Sequence, residues 1–253
     1  MRRVPVLCAA ALGLLTVLVV VRFGPLVRLD SAVSEAARHA ALRHDGWRAA
    51  MSAITHSADS LVLVPAGLLL AVVLLWKRWR TGLWFLLGTA TAATAVRLTV
   101  MTLVHRPRPV DQLTPTAGWA FPSGHTTSSA VTAGILIVLG CAVLTGRRSR
   151  RVLVAVAGTW AVLVGVSRVA LLAHWPSDVL GGWLLATAVT VALARGLRVQ
   201  RSFRTARPPS PQRDDGRTHR PEGSPECTIQ RHDSAPSSSR PASAPDTTAP
   251  PPN

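Results

Sequence analysis

The sequence predicts an all-α fold: a six-transmembrane-helix bundle followed by a disordered C-terminal tail. Three observations carry that prediction. Apolar residues make up 48% of the 253 residues and are gathered into six blocks instead of being spread as in a soluble domain. Lysines and arginines crowd short stretches between blocks, which is how membrane proteins set their orientation. Beyond Arg207 the chain has eleven prolines, many serines and almost no large apolar side chain, so it cannot bury enough surface to fold.

The blocks are Val4–Val21, Leu61–Trp76, Leu83–Val104, Thr127–Leu144, Val152–Leu172 and Val179–Ala194, each of 16–22 residues. A spanning helix needs about 20 residues, with a range of roughly 17–25, so the second and sixth borrow flanking residues. The first block follows Met1-Arg2-Arg3 and reads as an uncleaved anchor over residues 1–22, because Val19-Val20-Val21-Arg22 is a poor cleavage site. Residues 23–59 read as an external loop whose Ala-rich middle forms an interfacial helix. Residues 60–195 hold the remaining five spans and form the membrane core, and residues 196–253 form the Pro/Ser/Arg-rich tail.

Orientation follows from the loops. Lys77, Arg78 and Arg80 crowd one loop, and Arg147, Arg148, Arg150 and Arg151 another. Both are expected in the cytoplasm together with the N and C termini, which places a multi-pass protein in the plasma membrane. The loops before Pro122 and before Pro176 then face outward.

The formal charge of +16 suggests nucleic acid at first sight, but ten arginines lie after Ala194 and most of the others lie between apolar blocks, so no nucleic-acid partner is expected. Cys8 and Cys141 lie inside apolar blocks and Cys227 in the tail, so no structural disulfide is expected. Six acidic residues precede Arg195 and none clusters as metal ligands would, so neither a metal nor another cofactor is expected. Oligomeric state is left open.

Three motifs lie at the outward ends of the blocks. Ser167-Arg168 lies inside apolar sequence, where a charge is costly and usually functional, and is followed by His174 and Asp178. Four residues apart, His174 and Asp178 share a helix face, so the carboxylate can accept a proton from one imidazole nitrogen and leave the other free to attack. Pro122-Ser123-Gly124-His125 opens a block; Ser123 suits an N-cap, and helix N-termini bind anions. Arg106-Pro107-Arg108-Pro109 closes another, with His105 beside it. His39, His44 and His56 read as surface residues. Two histidines, several arginines and an aspartate on one face of a membrane suit a phosphate, because phosphoryl transfer relies on positioning and on charge stabilisation around three oxygens.

The order Arg-Pro, Pro-Ser-Gly-His, Ser-Arg-x5-His-x3-Asp resembles the type-2 phosphatidic acid phosphatase and vanadium haloperoxidase superfamily, specifically its integral membrane lipid phosphatases, over roughly Trp84–Ala194. The resemblance implies that His174 is the nucleophile and forms a phosphohistidine, that Asp178 orients it, and that His125 protonates the leaving oxygen. It also implies that Arg108, Ser123, Gly124 and Arg168 hold the phosphoryl oxygens, and that the reaction needs no metal. The expected substrates are membrane lipid phosphates or diphosphates of the phosphatidate, phosphatidylglycerol phosphate or undecaprenyl diphosphate type. A phosphatase of small soluble phosphoesters and a non-catalytic lipid-phosphate binder or transporter remain alternatives. The family usually has a lysine seven residues before the last arginine of the first motif, and this chain has Met101 there. Arg97, His105 and Arg106 are the candidate substitutes. Helical side chains lean toward the N-terminus, so Arg97 is expected to point away from the site, with Arg106 or His105 nearer to it.

Overall fold

A computed structural model describes residues 3–199, which form eight helices. In chain order these are α1 (Val4–Val20), α2 (Gly24–Arg43), α3 (Asp45–His56), α4 (Ser60–Trp76), α5 (Arg80–Val104), α6 (Gly124–Val143), α7 (Arg147–Ala170) and α8 (Pro176–Gly196). The expected disordered tail lies outside the described residues beyond Val199. Five helical stretches are long and apolar enough to cross a membrane, and the pair α1–α2, bent by 88°, raises the number to six. The protein is an all-helical integral membrane protein, as its apolar blocks require.

Helix α6 forms the centre. It packs along α7 and α8, while α1 and α5 pack on α8. The core joins Phe85, Leu86 and Ala93 of α5, Val131, Ile135 and Leu139 of α6, and Leu185 and Ala186 of α8. Small residues let the backbones approach: a β-carbon on Gly134 would lie 2.8 Å from Thr190, and one on Gly165 would lie 2.5 Å from Trp183. Such contacts replace the hydrophobic driving force that is missing between helices in lipid.

Two features differ from the sequence reading. The arginines of Arg147–Arg151 form the first turn of α7 and are not a loop, because a helix continues past its apolar centre into the interfacial region. Residues 23–59 are two helices, α2 and α3, and not a loop with one. Pro25 starts α2, and each helix buries a narrow strip, Asp30, Ser34 and Ala41 on α2, and Met51 and Thr55 on α3. That strip is too polar to register as an apolar block. Helix α3 packs on α7, and α2 on α7 and α8.

The alternation of the spans brings the N-termini of α4, α6 and α8 and the C-termini of α3, α5 and α7 to one end. All three motifs lie there.

Candidate active site

His174 sits between α7 and α8. Helix α7 ends in a turn in which the Arg168 carbonyl accepts the amides of Ala173 and His174, at 2.9 and 3.2 Å, and α8 then starts at Pro176, a favoured first position. The imidazole is 2% exposed as a residue. Its Nδ1 donates to the Ala120 carbonyl at 2.8 Å, and its Nε2 accepts from Arg108 Nη1 at 2.9 Å. Burial pushes His174 down to about 4; Asp178 opposes the shift, and Arg108 and Arg168 add to it. The ring is therefore neutral, with its proton on Nδ1 and a lone pair on Nε2.

Asp178 is fully buried, but it does not make the orienting hydrogen bond expected from the spacing. Its Oδ2 lies 3.6 Å from His174 Nδ1, beyond hydrogen-bond reach. That oxygen instead accepts the backbone N–H of Trp175 at 2.9 Å, capping α8. A carboxylate at the third position of a helix turns back toward the cap, and the Ala120 carbonyl takes its place beside the ring. Asp178 still faces the ring and opposes the shift that burial imposes on it.

Arg106 is held elsewhere too. Its Nη1 donates to Asp178 Oδ1 and to Ser177 Oγ, both at 2.6 Å, and its Nη2 donates to Asp30 Oδ2 at 2.6 Å. It clamps two buried carboxylates, and its guanidinium is occupied there instead of standing in for the lysine. His105 ends α5 in a left-handed conformation, with φ 48°, and packs edge-on against Trp119, ring centres 4.9 Å apart.

Arg97 reverses the expectation. It reaches along α5 toward the site: Nη1 donates to Met101 Sδ at 3.4 Å, and a β-carbon on Gly124 would lie 2.8 Å from Nη2. A charge within the membrane bends toward the polar end of the bundle, overriding the usual tilt of a helical side chain. A side chain at Gly124 would push the Arg97 guanidinium from this position.

Arg168 is 3% exposed; Nη1 donates to Thr55 at 2.8 Å, and its buried Nε has no partner among the described residues. Arg108 spans the loop ahead of α6, donating to the carbonyls of Ala117, Gly118 and Ala173 at 2.8–2.9 Å. Arg108 is in electrostatic reach of both Arg97 and Arg168. Gathering three guanidiniums is unfavourable unless an anion is bound among them. The N-terminus of α6 adds backbone donors, because the Ser123 side chain does not cap it. Ser123 is fully buried, and its hydroxyl accepts from Thr126 at 2.9 Å. Behind this turn, Gly181 and Gly182 let α8 approach Phe121 and Ser123: β-carbons there would lie 2.7 Å from the Phe121 ring and 3.2 Å from the Ser123 carbonyl.

His125 opens α6 on the α4 side and lies in electrostatic reach of Arg168 and Arg97. Its Nε2 meets Asp59 Oδ1 at 2.7 Å. Asp59, Thr55 and Asp30 were not legible as site residues, because each stands alone in the sequence, far from the three motifs.

The chain matches the PAP2 superfamily over residues 81–202. It is 30% identical over 161 residues to phosphatidylglycerophosphatase B of Bacillus subtilis (strain 168), covering 62% of this chain and 77% of the relative. A crystal structure described as the first transmembrane PAP2 type phosphatidylglycerolphosphate phosphatase from Bacillus subtilis superposes with a TM-score of 0.68 at 27% identity, over 77% of this chain and 96% of that one. Aquifex aeolicus LpxE superposes with a TM-score of 0.53 at 21% identity, over 68% and 96%, a likeness of fold.

Proposed function

The chain belongs to the PAP2 superfamily of membrane phosphatases, and from that premise we propose that it hydrolyses lipid phosphate monoesters or diphosphates through a phosphohistidine on His174. Phosphatidylglycerol phosphate is the first candidate, ahead of phosphatidate and undecaprenyl diphosphate, because the similar B. subtilis proteins carry its name. The site faces the outside of the plasma membrane in this reading, with both termini in the cytoplasm, and the arginine-crowded turns at the opposite end support that orientation.

The observation that carries the proposal is the state of His174. It is a buried, neutral ring whose Nδ1–H donates to the Ala120 carbonyl and whose Nε2 lone pair accepts from Arg108. Arg108 Nη1 moves its hydrogen bond from Nε2 to a phosphoryl oxygen, which frees the lone pair. Nε2 then attacks phosphorus in line, the N–P bond forms as the P–O bond breaks, and His125 delivers a proton to the departing oxygen. Arg97, Arg108, Arg168 and the first amides of α6 carry the charge on the equatorial oxygens. Water then attacks the phosphohistidine, His125 takes a proton from it, and phosphate leaves. Guanidiniums supply the positive charge, so no step calls on a metal.

A cavity of about 450 Å³ between α4, α5 and α6 favours a lipid over a soluble phosphoester. Leu63, Gly67, Ala90, Val131 and Ile135 line it together with Arg97. A head group held by Arg97 leaves its tail in an apolar slot.

The test is turnover by purified full-length protein in chelator, against the three lipids and glycerol 3-phosphate. We expect lipid turnover, fastest with phosphatidylglycerol phosphate. Acid-labile label from a radioactive substrate should appear on the wild-type protein and be lost in His174→Ala. Turnover of glycerol 3-phosphate alone would favour a soluble substrate, and no turnover of any of them would make the protein a binder.

A further inference from the structure

We propose that Asp59, at the corner between α3 and α4, is a second carboxylate of the active site: a positioning residue that holds His125 in the form that donates to the leaving group and then accepts from water. The inference rests on the acid–base role of His125 proposed above.

Asp59 stands at the N-cap of α4, where an aspartate ordinarily accepts the first helical amides. Its carboxylate makes no such bond. It turns instead to two imidazoles: Oδ1 meets His125 Nε2 and Oδ2 meets His56 Nδ1, each at 2.7 Å. Separate oxygens serve the two rings, so this is a hydrogen-bonded chain and not a convergent ligand set, and no group of three or more potential metal ligands forms among the described residues. The same corner supplies Thr55 to Arg168 at 2.8 Å. The connection from α3 to α4 thus meets both His125 and the buried Arg168. The corner precedes the stretch that matches the superfamily, which starts at residue 81.

The chemistry follows from which nitrogen is held. Neutral imidazole carries one proton and can place it on either nitrogen. With Nε2–H on a carboxylate, the neutral ring keeps its proton there and leaves the Nδ1 lone pair free for the acid–base work. Protonation at Nδ1 gives an imidazolium stabilised by Asp59. In the first half-reaction Nδ1–H passes to the departing alkoxide as the P–O bond breaks and the His174 N–P bond forms. In the second, the Nδ1 lone pair takes a proton from the water that forms the new O–P bond as the N–P bond breaks. His125 ends as it began, and no proton is gained or lost by Asp59. The side chain of His56 is 63% exposed and braces the far oxygen of Asp59.

The experiment compares wild type, Asp59→Asn, Asp59→Glu, His125→Ala and the double variant Asp59→Asn/His125→Ala, as full-length protein. The substrates are phosphatidylglycerol phosphate, whose alkoxide needs a proton, and p-nitrophenyl phosphate, whose phenolate hardly does. We expect Asp59→Asn to lower kcat/KM on the lipid, which reports the first half-reaction alone, by about ten- to a hundredfold, part of the 10²–10⁴ that a positioned acid contributes, with nitrophenyl kcat/KM within about threefold. All losses are read in kcat/KM because the later attack of water is common to both substrates. Asp59→Glu should restore part of the loss. The double variant should be no worse than His125→Ala, because Asp59 acts through that ring. Equal losses on both substrates in Asp59→Asn, or a double variant with the product of the two single losses, would overturn the assignment and leave His125 as the acid. Equal losses on both substrates in His125→Ala would remove the acid role itself and the inference with it. If Asp59→Asn does not fold, Asp59→Glu carries the same comparison, since moving the carboxylate must still cost more on the lipid.

Discussion

The single residue that most changes the picture of the site is Arg97. Position 101 is Met, and the guanidinium one turn below reaches past it to the start of α6. Arg97→Met should therefore lower kcat/KM on a lipid substrate by about one to two decades, the worth of a charge-assisted hydrogen bond of roughly 1.5–3 kcal/mol made in the transition state. Met101→Lys should not raise it, because the new ammonium would crowd Arg97; a gain would show that Arg97 does not serve the phosphate. His174 carries a second prediction. Its pKa lies at about 4 instead of 6.5, so between those values the unfolded chain binds more protons than the folded one. Stability from this site is complete above pH 6.5 and is lost as pH falls toward 4. The ring resonances of His174, assigned by comparison with His174→Asn, should not titrate between pH 8 and 5; a midpoint near 6.5 would show an accessible, protonatable ring.

At the scale of elements, the site depends on helices that the sequence reading placed outside it. Arg106, on the stretch after α5, joins Asp30 of α2 to Asp178 of α8, with Ser177 closing the ring by donating to Asp30 Oδ2 at 2.5 Å. This network sets the direction of α8 and hence the position of His174. Arg106→Met would leave two buried carboxylates unpaired, and breaking a buried pair costs about 3–5 kcal/mol. We expect a lower melting temperature in detergent, partly recovered in Arg106→Met/Asp30→Asn, where one carboxylate has been neutralised. Unchanged stability in the single variant would show that the clamp contributes nothing to the fold. In the sequence, Arg106 stood next to Arg108 in one motif, and nothing in their spacing tells a phosphate ligand from a structural clamp.

For the whole molecule, the alternation of spans gathers every motif at one end and the arginine-rich turns at the other, so membrane orientation and site accessibility are one question. An impermeant thiol reagent applied to intact cells should label a cysteine placed at Thr116 and spare one placed at Ser149, with Cys8, Cys141 and Cys227 replaced beforehand. The reverse pattern would put the site in the cytoplasm. Because the loop at Thr116 follows α5 and the turn at Ser149 follows α6, one labelling pair reports on the whole arrangement of core helices.

The sequence by itself determined the class of fold, since blocks of about 20 apolar residues have only helices open to them in lipid. It also marked one end of the bundle as the candidate site, because Arg108, His125, Arg168, His174 and Asp178 sit in local patterns at the ends of those blocks. Tertiary structure alone decided which side chains meet. The Ala120 carbonyl holds Nδ1 of His174 in place of Asp178, Arg97 bends toward the site, Arg106 is taken by two carboxylates, and Asp59 and Thr55 arrive from a corner that shares no motif with their partners. Each outcome is a competition among neighbours brought together from distant positions, 66 residues apart for Asp59 and His125. Spacing within a helix specifies what shares its face, but the partner across the gap depends on how the helices pack.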